Sequence, residues 1–352
     1  LRYNFDEGIY MSYFRNCIKC GLPQCKDKIK IDNQGICNIC HEYSTACSNI
    51  KLNSIENLSK EERREILNSK IQKHVKNCKN PKYNCVVAVS GGKDSLMALY
   101  VAKKELGLNP VGFFIDNGFA IDEMKENIDN ASKILGVDIV TFKTEYLKGL
   151  FSILLKSKRE IYYCRVCHLL IDLYVKRFCK ENNITLLLGG YTKGQAYISK
   201  NELFWIYSIS DSNTIKVLEN YPEYEEVVDI VKNPLIYFAK NFKEIEQISP
   251  FKYIDYSETE IIEFLEQNIK FKVPKHSWPQ NSTNCMFNYL SQFLARKQFG
   301  YSQHEVEIAT LVREKEMTLE HANRILNTPI TDDDINDVLN VLNLNKSDVG
   351  IE

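Results

Sequence analysis

In the stretch IYYCRVCHLL, Cys164 and Cys167 lie one helical turn apart, a spacing at which two thiols can share a metal, form a redox pair or simply pack. A third thiol, Cys285, stands far downstream in HSWPQNSTNCMFNYL. A second set lies near the start of the chain, where Cys17-x2-Cys20 is followed after sixteen residues by Cys37-x2-Cys40. Two such pairs make two knuckles whose four thiolates close a tetrahedron around Zn²⁺. A site closed by four cysteines has no open position for a substrate, so it is predicted to be structural. His41, next to Cys40, is the alternative fourth ligand. The third group is the run Ser90, Gly91, Gly92, Lys93, Asp94 and Ser95 in VVAVSGGKDSLMALYV. Its glycines let an anion approach, its backbone N–H groups point at one spot, and a following helix N-terminus favours negative charge, so the run reads as a phosphate cradle. It is not a Walker A loop, which would need a glycine where Val87 stands.

These residues need elements to position them. Residues 1–50 are short, turn-rich and Cys-rich and read as a zinc ribbon; residues 51–83 read as a charged helical connector opened by a capping box from Ser59 to Glu62. From Asn84 the period changes to strand NCVVAVS, helix DSLMALYVAKKELG closed by Gly107, strand VGFFIDNG, helix AIDEMKENIDNASKILG and strand DIVTFKTEY. The helix through CRVCHLLIDLYVKRFCKENN and the strand ITLLLGG continue the alternation. Alternation of this kind predicts an α/β fold, a doubly wound parallel sheet covered on both faces. Residues 196–250 are aromatic and read as irregular. A second capping box, Ser257 to Glu260, opens a mostly helical remainder, so the catalytic domain is placed at 84–303 and a helical extension at 304–352.

The chain of 352 residues is 44% apolar and 11% aromatic, enough for a sizeable core. Lys plus Arg (45) nearly balances Asp plus Glu (46), so there is no global positive field to gather nucleic acid, and any RNA contact must be local. No apolar run of about eighteen residues offers a membrane span, and LRYNFDEGIYMSYFRNC lacks the pattern of a signal peptide, so a cytoplasmic protein is expected. In a reducing compartment the closely spaced cysteines are metal ligands or reactive thiols, while the isolated Cys25, Cys47, Cys78, Cys85 and Cys179 are packing residues. His276 and His304 are lone histidines, and no Ser-His-Asp order stands out.

Strand, SGGxDS, helix, then a strand ending in Asp116 is similar to the PP-loop ATP pyrophosphatases, members of the adenine nucleotide alpha hydrolase-like superfamily. The resemblance, over about residues 84–300, implies cleavage of ATP between the α and β phosphates and activation of a carbonyl-type oxygen as its adenylate. It implies that Ser90, Gly91, Gly92 and Ser95 hold pyrophosphate, that Lys93 neutralises developing charge, and that Asp94 positions Mg²⁺ or phosphate-bound water. Adenine and ribose are then expected along FFIDNG with Asp116, and beside Gly189 and Gly190, at the carboxyl edge of the sheet.

A CxxC pair with one distant cysteine in this fold resembles the iron–sulfur tRNA thiolases of the same superfamily, in which three cysteines hold a [4Fe-4S] cluster whose fourth iron is free to bind sulfide. That implies Cys164, Cys167 and Cys285 as cluster ligands; Cys179, twelve residues along the helix from Cys167, lies about 18 Å away, too far to join them. Zn²⁺ on Cys164, Cys167, Cys285 and His168, and a redox-active CxxC, are the alternatives. Two features depart from those enzymes: GGYTKGQ has no carboxylate where they carry TGHNxDD, and HLLIDLYVKR is not basic at its start. The ribbon CIKC…GICNICHEY and the segment LARKQFGYSQHEVEIATLVREKEMTLEHANRIL instead resemble PP-loop N-acetyl sugar amidotransferases of surface-polysaccharide pathways, which take ammonia from a glutaminase partner. The leading expectation is an ATP- and Mg²⁺-dependent sulfurtransferase with a sulfur donor as partner, a tRNA or small-molecule acceptor, no membrane and room for a homodimer. The others are the sugar amidotransferase and a non-catalytic zinc protein that binds a nucleotide or RNA.

Overall fold

A computed structural model describes residues 15–25, 28–43, 55–191, 201–279 and 285–351. Five strands, β1 (Cys85–Ala88), β2 (Pro110–Asp116), β3 (Ile139–Lys143), β4 (Leu186–Leu188) and β5 (Glu246–Ile248), form one sheet in the order β3-β2-β1-β4-β5. Every pairing is parallel, as the alternation of strands and helices required. The order reverses between β1 and β4, so the crevice at their carboxyl ends is the place where an open sheet of this kind binds a ligand. The phosphate-cradle run follows β1, and Gly189 and Gly190 follow β4, which puts both at that crevice.

Side-chain alternation divides the strands between two cores. Val86, Val111, Phe113 and Leu187 face one side, with α4 (Tyr146–Lys156) and α5 (Tyr163–Glu181). Cys85, Val87, Phe114, Leu186 and Leu188 face the other, with α1 (Lys60–Asn77), α2 (Lys93–Tyr100) and α3 (Asp122–Leu135). Burial on both faces is why these strands are short continuous apolar runs rather than alternating ones. The helix α2 continues through a wider turn, Val101–Glu105, before Gly107 takes a left-handed φ of 61°. Both capping boxes form: Ser59 Oγ accepts from the Glu62 N–H at 3.1 Å, and Ser257 Oγ from the Glu260 N–H at 3.2 Å.

The segment read as irregular is largely helical: α6 (Asn201–Leu218), α7 (Glu225–Lys232) and α8 (Pro234–Asn241). Many residues of α6 are β-branched or aromatic, which lowers helix propensity. Leu203, Ile206, Ser210, Thr214 and Leu218 nevertheless recur at three- and four-residue spacing and are all buried, so tertiary packing decides the matter. After α9 (Glu258–Ile269), the chain runs through α10 (Phe287–Phe299), α11 (Gln303–Arg313), α12 (Leu319–Leu326) and α13 (Asp332–Val341). A third apolar cluster joins the N-terminal cysteines to Leu203 and Ile206 of α6, Phe299 of α10, and Val306 and Ala309 of α11. Every described cysteine is a free thiol; Cys25, Cys85 and Cys179 are buried and Cys78 half-buried. Cys47 and residues 192–195 lie outside the described residues. No described helix is long and apolar enough to cross a membrane.

Candidate functional site

The phosphate-cradle run forms a tight arch between β1 and α2. Gly91 has φ +81° and passes so near α3 that a Cβ there would lie 2.4 Å from the Met124 carbonyl oxygen, so both conformation and space demand glycine. Gly92 is the N-cap of α2 and offers no side-chain partner to the first helical N–H groups. Two hydroxyls brace the arch: Ser95 Oγ accepts from the Ser90 N–H at 3.0 Å and donates to the Gly92 carbonyl at 3.0 Å, while Ser90 Oγ lies 3.1 Å from Ser95 Oγ. Gly190, at the end of β4, backs the arch from behind; a Cβ on it would meet the Asp94 carbonyl carbon at 2.5 Å. Gly189 donates to the Ile248 carbonyl at 3.1 Å, fixing that turn to β5.

Lys93 and Asp94 open α2. The Lys93 ammonium is 2.7 Å from Asp94 Oδ2 and 3.6 Å from Glu258 Oε1 at the start of α9. Burial works against its charge, but Asp94 and Glu258 outweigh burial and hold the amine above its ordinary range. Glu258 carries no motif and was legible only as the residue after a cap. Asp116 ends β2, and its Oδ1 accepts from the Gly118 N–H at 3.0 Å.

Beside the arch lies a cavity of about 260 Å³, whose lining includes Ser90, Cys164, Cys167 and Cys285. One residue of the predicted phosphate loop, Ser90, therefore shares a space with the cysteine trio. Its walls are largely apolar, including Phe113, Phe151 and Phe287, and Asn117, Asn288, Gln303, His304 and Glu307 supply polar groups. Of the predicted nucleotide residues, Ser90 lines the cavity itself; Gly91, Gly92, Lys93, Asp94, Ser95, Asp116, Gly189 and Gly190 do not. His304, treated from sequence as a lone structural histidine, is at the wall, with Nδ1 3.7 Å from Glu307 Oε2.

The helix α5 presents Cys164 and Cys167 from its first turns, and the chain leading into α10 presents Cys285. Cys164 Sγ donates to Ser291 Oγ at 3.1 Å. Burial, then the neighbouring Cys285, pushes the Cys164 thiol up to about 12. Burial likewise raises Cys167 and Cys285.

The N-terminal quartet is different. Cys17 and Cys40 sulfurs are 3.8 Å apart, as are those of Cys20 and Cys37, and all four sulfurs lie within 4.8 Å of one another. A tetrahedron with metal–sulfur bonds of about 2.3 Å has edges of about 3.8 Å. Backbone N–H groups of Cys37 and Cys40 point at the sulfurs of Cys17 and Cys37, at 3.2 and 3.4 Å, as a thiolate knuckle requires. His41 Nε2 turns to Asp32 Oδ2 at 2.8 Å, so the fourth position is Cys40's. Among the described residues this quartet alone converges so tightly; Cys164, Cys167, Cys285 and His168 share a cavity without gathering around a single-ion point. From α11, Arg313 Nη1 reaches Cys20 Sγ at 3.5 Å, a contact that no local sequence signal announced.

Fold and site thus define a doubly wound α/β protein with a glycine-rich arch at the switch point of its sheet, a cysteine-lined cavity beside it and a separate group of four converging thiols with the geometry to hold a metal ion. No known protein-family profile matches the chain. Two uncharacterised proteins of Methanocaldococcus jannaschii are related in sequence. One is 26% identical over 248 residues, 70% of this chain and 74% of that protein. The other is 37% identical over 60 residues, 17% of this chain and 12% of that protein. Among solved structures, the chain is similar to the U34-tRNA thiolase NcsA from Methanococcus maripaludis with its [4Fe-4S] cluster, at 16% identity and TM-score 0.35, covering 88% of this chain and 89% of that one. It is also similar to the NH3-dependent NAD synthetase from Campylobacter jejuni, at 14% identity and TM-score 0.33, covering 62% and 99%. The NMN synthetase from Francisella tularensis matches at 14% identity and TM-score 0.32, covering 76% and 97%. Likeness at this level carries no argument about activity, which has to come from the site itself.

Proposed function

We propose that the chain is a PP-loop ATP pyrophosphatase that works as a sulfurtransferase: it adenylates an oxygen of its acceptor and replaces that oxygen with sulfur. The observation that carries this reading is the single cavity shared by Ser90 of the phosphate loop and the thiols of Cys164, Cys167 and Cys285. The backbone of Gly91 and Gly92, with the hydroxyls of Ser90 and Ser95, holds the pyrophosphate end of ATP. Lys93 leaves its carboxylate partners to neutralise charge that develops as the bond from the α phosphorus to the bridging oxygen breaks. Asp94, released from that pair, would be a carboxylate able to hold Mg²⁺. Asp116 and the glycines after β4 border the nucleoside. The acceptor oxygen attacks the α phosphorus and pyrophosphate leaves; sulfur then takes the acceptor carbon and AMP leaves with the original oxygen.

Three thiols that face one cavity, one buried and two half-buried, without closing around a single ion, fit a [4Fe-4S] cluster better than zinc. When bound, the cluster supplies a sulfur-binding iron position that no cysteine occupies. Cys17, Cys20, Cys37 and Cys40 fit Zn²⁺, whose role there is folding rather than chemistry. A sulfur donor is the partner this chemistry needs.

The test is the fate of α-labelled ATP in anaerobic protein offered sulfide with bulk tRNA or with N-acetylated sugars. Release of AMP and pyrophosphate with sulfur in the acceptor is expected, whereas ADP and inorganic phosphate as primary products would refute the assignment. Transfer of ammonia nitrogen in place of sulfur, indifferent to air, would replace the sulfur reading with the amidotransferase one.

A further inference from the structure

The turn after β2 joins the nucleotide edge to the cysteines. Asp116 Oδ1 accepts from the Gly118 N–H at 3.0 Å, and Asn117 Oδ1 accepts from the Phe119 N–H at 3.0 Å. The Phe119 carbonyl in turn accepts from the Met286 N–H at 2.9 Å, which ties the chain beside Cys285 to this turn. The Asn117 side chain is buried and lines the cavity. Its oxygen is committed to Phe119, so its amide nitrogen faces the other way, into the thiols, 3.9 Å from Cys167 Sγ.

We propose that Asn117 is a positioning residue for the sulfur end of the cavity: its amide N–H is a donor to the sulfur of Cys167 and sets the reduction potential of the iron–sulfur group that Cys167 helps to hold. The inference rests on the sulfurtransferase reading. A donor to a ligating sulfur withdraws electron density from the iron–sulfur bond and so favours the more negative, reduced state, which raises the potential. Asn117 does this from the residue next to Asp116, so the nucleotide edge and the sulfur ligands are set by one turn.

The experiment compares anaerobically reconstituted wild-type protein with Asn117→Ala and Asn117→Ser. Serine keeps an oxygen for the Phe119 N–H but has no donor long enough to reach the sulfurs, so it preserves the turn if alanine does not. Midpoint potential is read by dye-mediated titration, iron–cysteine stretching by resonance Raman, and ATP affinity by calorimetry. Both variants are expected to keep their iron and bind ATP as wild type does. Their potentials should be more negative and their iron–cysteine stretches higher in frequency. Unchanged potential and stretches in an iron-loaded Asn117→Ser protein would overturn this inference alone. Wild-type protein that takes up no iron would overturn the sulfurtransferase reading, and this role with it.

Discussion

Gly190→Ala isolates the contact that seats the phosphate arch. The added Cβ would lie 2.5 Å from the Asp94 carbonyl carbon and 2.6 Å from both the Asp94 oxygen and the Ser95 nitrogen. An ordinary contact between such atoms needs about 3.5 Å, so roughly 1 Å of movement is required. All three partners are backbone atoms of the first turn of α2, which cannot rotate away as a side chain can. Overpacking of this kind costs about 1–3 kcal/mol. If the arch gives way rather than β4, that cost falls on nucleotide binding and weakens it about ten- to a hundredfold. Gly136→Ala is the control: its φ of +61° imposes strain, but nothing lies within 4 Å of the new Cβ. It should cost about 1–2 kcal/mol of stability and leave the nucleotide untouched. Calorimetric binding of a non-hydrolysable ATP analogue, with thermal unfolding of each variant, measures both effects. Equal nucleotide affinity and unchanged stability in Gly190→Ala, or equal loss of affinity in the two variants, would refute the reasoning.

Other expectations follow from single contacts. Lys93→Ala should lower turnover of ATP to AMP at least ~10²-fold if the ammonium stabilises transition-state charge, as product assays with labelled ATP would measure. Cys37→Ser should release the ribbon metal and lose folded, soluble protein, because metal binding there is folding energy; a metal-free variant with wild-type stability would contradict a structural role. Hydrogen bonds from His74 and Lys70, at 2.9 Å each, hold the Glu246 carboxyl below its ordinary range against the effect of burial. A depressed carboxylate stabilises the fold above its unfolded pKa, and that stability is lost as pH falls through the lower, folded value. Glu246→Gln should therefore lower the urea midpoint at neutral pH and flatten its acid decline; parallel wild-type and variant curves would exclude the contact as a contributor.

The sheet was legible where the strands are buried on both faces, because VVAV, VGFFID and ITLLL are apolar runs bounded by glycine and helical periodicity. The strand β5 was not: Glu246–Ile248 is three residues long and mostly polar, and its partner β4 defines it. The helix α6 was missed because composition speaks against it and burial speaks for it. In the site, spacing announced the two CxxC knuckles, the phosphate loop and Cys164 with Cys167. Cys285 was legible as a thiol in need of company, though its place in the cavity depends on Met286 reaching back to Phe119. Glu258 beside Lys93, Asn117 beside Cys167 and Arg313 beside Cys20 carry no local signal, since each meets its partner across dozens to hundreds of residues.

The most direct measurement is the metal content of anaerobically reconstituted protein and of its Cys164→Ser, Cys167→Ser and Cys285→Ser variants. The wild type is expected to be brown, with about four irons per chain in addition to the ribbon metal. Each variant should lose the iron and keep the ribbon metal, because the two sites share no ligand. Air should bleach the wild type without abolishing ATP binding, since the arch from Ser90 to Ser95 uses backbone and hydroxyl groups. A colourless protein carrying a second zinc on these cysteines, or iron that survives all three substitutions, would contradict sulfur transfer from this cavity.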